Sequence, residues 1–279
     1  MIQFIESFIS EKGEISFVDH GGWESRSEST ISLFKQAFGQ ISDKTKFKRK
    51  HFYIHTGDVS AVINNELTFG YTISPGVVAC PDFSFEKWVE CGINNYEDAT
   101  KKIVDSSNND YSVNRLFWIG NVTTQPLRRK LLELGNANRN KMEIISMGWT
   151  RLQPKGSMHR YSNYTTLEGH TRYKYLIDTG GEGFSARVKY LLHTNRPLFL
   201  VDRDENKKEY FYNSLVPFKH FIPVKENLSN LLSQLDWAEN NYTEAIRIAG
   251  NARQFALEHL NKRNVIHYLA NAIQWNCCK

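Results

Sequence analysis

The hydrophobic pattern of this 279-residue chain changes character along its length. The first two thirds carry short apolar runs, each closed by glycine, proline or an acid, which read as strands. Ile15-Ser16-Phe17-Val18 ends at Asp19, after which Gly21-Gly22 turns the chain into a polar segment. His51-Phe52-Tyr53-Ile54-His55 runs into Thr56-Gly57-Asp58, and Val77-Val78-Ala79-Cys80 stops at Pro81. Leu116-Phe117-Trp118-Ile119 leads into Gly120. Helices are predicted over residues 96–104 and 127–134, with Ser106-Ser107-Asn108-Asn109 as the most linker-like stretch between them. After Pro223, apolar residues recur every three or four positions over residues 227–235, 237–256 and 265–275, the helical period. The first nine residues also fit a short amphipathic helix, with Ile2, Ile5, Phe8 and Ile9 inward. Strands alternating with helices on either side of a linker predict an α/β protein of two facing units.

Residues 173–202 speak most directly about chemistry. Tyr175-Leu176-Ile177 is strand-like, and Gly180, Gly181 and Gly183 then forbid regular structure. Ser185 is placed to cap a helix whose apolar face is Val188, Leu191 and Leu192. Glycines at a strand-to-helix junction let backbone N–H groups approach an anion, and Arg187 adds a fork suited to phosphate. The pattern suits a diphosphate site. It equally fits a dinucleotide fingerprint, Gly181-Glu182-Gly183-Phe184-Ser185-Ala186 with Asp202 as the ribose-binding acid, or a tight turn that binds nothing.

Composition narrows the class. Hydrophobic residues at 41% and charged residues at 23% are ordinary for a globular protein, and no apolar run is long enough to span a membrane. The opening residues carry acids and lack a basic start, unlike a secretory leader. Cys80, Cys91, Cys277 and Cys278 make neither a disulfide framework nor a metal-ligand spacing, so a reducing, cytoplasmic setting is expected. A net charge of +5 without a basic stripe interleaved with aromatics argues against nucleic acid as a partner. The run Lys44, Lys46, Lys48, Arg49 and Lys50 reads as a solvated loop, or as a patch attracted to anionic lipid or phosphorylated glycan.

A longer pattern decides between these options. Lys174-Tyr175-Leu176, then Arg187-Val188-Lys189-Tyr190-Leu191, then Phe218-Lys219-His220-Phe221-Ile222-Pro223-Val224 appear in order. Residues 173–260 closely resemble glycosyltransferase family 90, the lipopolysaccharide-modifying and protein O-glucosyltransferase group. Upstream, Phe117-Trp118-Ile119-Gly120-Asn121 is similar to the family's F-R-G-S strand end, although Ile119 and Val122 stand where eukaryotic members tend to carry arginine. His55-Thr56-Gly57-Asp58 resembles the strand end with the catalytic aspartate, and Cys80-Pro81-Asp82-Phe83-Ser84-Phe85 the P-x-[ST]-F segment.

The resemblance implies a GT-B architecture: two Rossmann-like domains across a cleft and a C-terminal helix crossing back. The units would be residues 1–110 for acceptor, 111–256 for donor, and 257–279 for the returning helix. It further implies an inverting enzyme that moves glucose or galactose from a UDP-hexose to a lipopolysaccharide core sugar, at the inner face of the inner membrane. Asp58 would be the base. Gly120, Asn121, Arg128, Asp178, Gly180, Gly181, Glu182, Gly183, Phe184, Ser185 and Arg187 would hold the UDP-sugar, with His55 and Asp82 toward the acceptor. Trp118, Phe184 and Trp149 are candidate stacking residues. Asp202-Arg203-Asp204 matches a metal-binding string but precedes Glu205-Asn206-Lys207-Lys208, which reads as a hairpin loop. No metal or cofactor is therefore expected. An NAD(P)-dependent oxidoreductase and a sugar-nucleotide-binding module that has lost catalysis remain the alternative readings, and Asp58 argues against the second.

Overall fold

The computed structural model describes residues 3–44, 46–147 and 165–278. Ile2 and Trp149 lie outside them. Two five-stranded sheets organise the chain. The first has the order β2-β1-β3-β4-β5, from β1 (Phe4–Ile9), β2 (Ile15–Asp19), β3 (His51–His55), β4 (Thr68–Gly70) and β5 (Val77–Ala79). β1 runs antiparallel to β2 and β3, whereas β3, β4 and β5 are parallel.

The N-terminal segment is therefore a strand and not the expected helix. Ile5 and Ile9 do fit both periods, but Ile5, Ser7 and Ile9 are buried while Phe8 faces solvent, the alternation of a pleat. Gly13, at a φ of 73°, then closes the hairpin to β2. The polar segment after Gly22 is a second correction, because it is α1 (Glu24–Gln40). Its buried face opens with Ser27 and Thr30 before reaching Leu33, Phe34, Ala37 and Phe38, so small polar residues disguise the helical period. α2 (Tyr96–Ser107) absorbs half of the supposed linker into its last turn.

The second sheet is wholly parallel, with the order β10-β9-β8-β6-β7. Its strands are β6 (Val113–Gly120), β7 (Met142–Ser146), β8 (Tyr173–Asp178), β9 (Leu198–Val201) and β10 (Ile222–Val224). α3 (Pro126–Ala137) connects β6 to β7, and α4 (Val188–Leu191) lies between β8 and β9. Because β9 and β10 are parallel, residues 205–208 cannot be a hairpin loop; a short 3-10 turn, Glu205–Lys207, stands there instead. α5 (Leu231–Asn240), α6 (Tyr242–His259) and α7 (Lys262–Cys277) close the chain, and α7 packs against α1.

Both faces of the second sheet are covered, so its strands read as continuous apolar runs. Phe117 and Ile119 of β6 with Leu176 of β8 join the core that reaches the first sheet. Leu116, Trp118, Tyr175 and Ile177 point the other way, to a core with Leu131 of α3, Leu235 of α5 and Ile248 of α6. The strand order reverses between β6 and β8. A parallel sheet opens a crevice at the carboxyl ends of the two strands flanking such a reversal, and that is where ligands bind.

Candidate active site

Gly120 ends β6 and Asp178 ends β8, so the residues singled out in the sequence meet at this reversal. Asp178 is fully buried and organises the loop after it. Its Oδ2 accepts the Gly180 N–H at 3.0 Å and its Oδ1 accepts the Ser185 hydroxyl at 2.8 Å. Arg187 and Arg203 pair with it at 3.2 and 3.0 Å. Burial alone would push this carboxyl up, but Arg203 and Arg187, together with the Ser185 hydroxyl, hold it down at about 2.

These contacts correct the local expectation. Ser185 caps nothing; its hydroxyl serves Asp178. α4 spans four residues, too short for its terminus to draw an anion. The positive potential comes from side chains instead. Two guanidiniums, Arg187 and Arg203, share this one buried carboxylate, and a third, Arg128, stands beside them. Arg128 has no acid partner among the described residues; it donates to the carbonyl of Gly180 (2.7 Å from Nε) and to that of Asn121 (3.1 Å). Burial, then the charge of Arg187, lowers its pKa to about 10, so it stays protonated at neutral pH. Gly180 adopts a φ of 73°, which turns its carbonyl toward Arg128 and its N–H toward Asp178.

Arg203 is a candidate site residue that sequence reasoning missed. It was legible only as part of an exposed Asp-x-Asp string, yet it is buried while Asp202 and Asp204 are exposed. Its Nη1 has no hydrogen-bond partner among the described residues. It lines a cavity of about 470 Å3 at the carboxyl ends of β9 and β10, together with Tyr212, Asn213 and Lys225.

Two of the aromatic candidates, Trp118 and Phe184, lie in the core. Trp118 is 1% exposed, and its ring lies under Arg128 and Arg187 at 5.3 and 5.7 Å, a cation–π support and not a stacking surface for ligand. Phe184 is likewise buried, edge-on to Tyr71. Glu182 faces solvent, and Asn121 accepts the N–H and hydroxyl of Thr123.

From the first sheet, Asp58 reaches this loop. Its carbonyl oxygen lies where a Cβ on Gly183 would stand, and it accepts the Phe184 N–H at 3.3 Å. Its half-exposed carboxylate pairs with Arg26 of α1 at 2.8 Å. His55 is turned inward, its Nδ1 accepting the Gly57 N–H at 3.1 Å, and burial lowers its pKa. Asp82 has no surface to offer an acceptor. It lies in a buried cluster with Lys189, at 2.6 Å, and Glu209, which is 2.7 Å from the same ammonium. Burial opposes ionisation of both acids; Lys189 and Glu209 outweigh it for Asp82, whose pKa falls, while Glu209 is raised well above its ordinary value. The cluster ties the segment after β5 to α4.

Among the described residues no three His, Cys, Asp or Glu side chains come together as a metal site, and no helix is long and apolar enough to cross a membrane.

At the strand reversal the guanidiniums of Arg128, Arg187 and Arg203 gather beside a glycine loop that Asp58, from a second sheet, touches, in a protein of the α/β class. The chain belongs to glycosyl transferase family 90, whose family model matches residues 68–275. It is 31% identical over 168 residues to protein O-glucosyltransferase 2 of Danio rerio, covering 58% of this chain and 32% of that protein. It is 36% identical over 155 residues to protein O-glucosyltransferase 1 of Bos taurus, covering 54% and 38%. The chain thus spans about a third of the length of these curated relatives. A crystal structure of HepE from Anabaena in complex with UDP-glucose aligns at a TM-score of 0.38 with 10% identity, covering 63% of this chain and 44% of that one, too low to bear on fold or ligand. Asp58 and Arg26 lie upstream of the matched segment.

Proposed function

We propose that this chain is an inverting, metal-independent glycosyltransferase of GT-B form that moves a hexose from a UDP-sugar to a lipopolysaccharide core sugar. Membership of the family supports the reaction class, and the relatives named as O-glucosyltransferases favour glucose as the hexose. In this reading the diphosphate takes the three-guanidinium crevice, and the nucleoside takes the cavity beside Arg203. The basic run at residues 44–50 and a lipid-linked acceptor suit an enzyme at the periphery of the inner membrane.

The observation that carries the reading is the contact of Asp58 with the Gly183–Phe184 peptide. The residue whose backbone makes that contact carries a half-exposed carboxylate, paired with Arg26. Asp58 accepts the proton of the acceptor hydroxyl as its oxygen forms a bond to the anomeric carbon. The bond from that carbon to the phosphate oxygen breaks on the opposite face, inverting the centre. Arg128 and Arg187 take up the charge that develops on the departing UDP, the work a metal would otherwise do.

Hydrolysis or transfer assays across UDP-glucose, UDP-galactose and NAD, with and without EDTA, test the proposal. Turnover of a UDP-hexose that survives chelation is expected. Turnover rescued only by manganese, or a preference for NAD over UDP, overturns it, and UDP binding without turnover identifies a module that has lost catalysis.

A further inference from the structure

A second cavity, of about 620 Å3, is used by none of the chemistry above. Tyr210 and Phe211 line it, whereas Tyr212 lines the cavity beside Arg203, so one short segment separates the two. Its main wall is α6. Asn251, Gln254, Phe255, Glu258 and His259 stand at positions i, i+3, i+4, i+7 and i+8, which places them on one face of the helix. The facing wall is α7, with Asn264 and Tyr268 one turn apart.

The chemistry of these walls selects a ligand class. Lys219 and Glu258 are the permanently charged side chains lining the cavity, and they are of opposite sign, so no anion or cation is favoured. The amides of Asn251, Gln254 and Asn264 each carry donors and an acceptor, as hydroxyl groups do; Gln254 and Asn264 each donate one N–H to Glu258, which leaves them a second N–H and the amide oxygen. His220 adds a directed donor. Its Nδ1 accepts the Val216 N–H at 3.0 Å, so the neutral ring carries its proton on Nε2. Burial, with Lys219 and His259 nearby, lowers the pKa of His220 and keeps it neutral.

Rigid apolar surfaces complete the set. Tyr268 is 38% exposed, stacks on Tyr210 at 4.4 Å, and is fixed by a hydrogen bond from its hydroxyl to the Ala79 carbonyl at 2.9 Å. Phe255 is held between His220 and His259 at 5.2 and 4.9 Å. The exposed ring of Tyr268 beside uncharged amides matches a ring that is apolar on its C–H face and hydroxylated at its rim.

We propose that this cavity is a second carbohydrate site, which holds a neutral sugar unit away from the three-guanidinium crevice. The site stands whether or not the crevice binds UDP.

Titration of the whole chain with lactose and maltose, in saturating UDP and read by saturation-transfer NMR on the sugars, is the test. At least one disaccharide is expected to bind. The double variant Asn251→Leu/Gln254→Leu, on the accessible face of α6, should weaken it tenfold or more while UDP affinity is unchanged. Tyr268→Ala, on the facing wall, should weaken the same probe. Absence of transfer to both disaccharides overturns the proposal, as does binding undiminished in both variants or competed away by UDP. Failure of UDP to bind, with sugar binding intact, counts only against the reading of the crevice.

Discussion

The carbonyl oxygen of Asp58 lies 1.9 Å from the position a Cβ on Gly183 would occupy. The end of β3 and the glycine loop of the second sheet touch because residue 183 has no side chain. Gly183→Ala has to push the two apart. Overpacking of this kind costs about 1–3 kcal/mol. A lower melting temperature, together with a fall in UDP-hexose turnover of at least tenfold, is the expected outcome; full activity at wild-type stability would show that the contact positions nothing.

If Asp58 accepts the acceptor proton, Asp58→Asn keeps shape and hydrogen bonding but loses basicity. Transfer should drop by roughly two to four orders of magnitude. Binding of UDP, measured by calorimetry, should hardly change, because the guanidiniums belong to the other sheet. Near-normal transfer by a variant that melts like the wild type would move the base elsewhere.

Arg128 offers the cleaner test of the diphosphate clamp. Arg187→Ala strips Asp178 of one of its two cationic partners and so mixes folding with binding. Arg128 contacts carbonyls and a hydroxyl but no acid, so Arg128→Ala leaves no charge unpaired. UDP affinity should weaken by about tenfold to a hundredfold, the range for a charge-assisted contact of roughly 1.5–3 kcal/mol. Unchanged affinity would remove Arg128 from the site.

Lys189 is fully buried against Asp82 and Glu209. Lys189→Met removes the counter-ion while keeping the volume. Breaking a buried pair from one side costs about 3–5 kcal/mol. Denaturant unfolding should register a loss of that order, and a change under about 1 kcal/mol would mean that the cluster adds little to the fold.

Two imidazoles make stability depend on acid. Burial, aided by Arg187 for His170 and by Arg253 for His193, lowers their pKa values to about 3 and about 4. The unfolded chain protonates both near pH 6.5, where the folded chain resists. Their folded values are depressed, so the stability linked to them is complete above about pH 6.5 and is lost as pH falls toward 4. His193→Gln should shrink the fall in melting temperature between pH 7 and pH 4 relative to wild type, and an identical fall in both would contradict the assignment.

The strands flanking the crevice were legible because a parallel sheet covered on both faces writes continuous apolar runs, as at Leu116-Phe117-Trp118-Ile119. The glycines of the loop were legible for the same local reason. The pairing of Asp178 with Arg203 was not, since the two residues are 25 positions apart and only the adjacency of β8 and β9 joins them. α1 was hidden because its buried face starts with Ser27 and Thr30, small polar residues that break the apolar period although both are buried; the Thr30 hydroxyl is satisfied by Tyr71. Ser185 fitted a cap by position, but a buried acid seven residues earlier took its hydroxyl.

The surplus of positive charge around Asp178 has a thermodynamic consequence. Guanidiniums crowded about one carboxylate repel one another, and that single negative charge offsets only part of theirs. A doubly charged anion entering there is therefore linked to folding, since it stabilises the native chain in proportion to the logarithm of its concentration. Pyrophosphate alone, with no sugar and no base attached, should raise the melting temperature at low ionic strength and lose that effect as added salt screens the cluster.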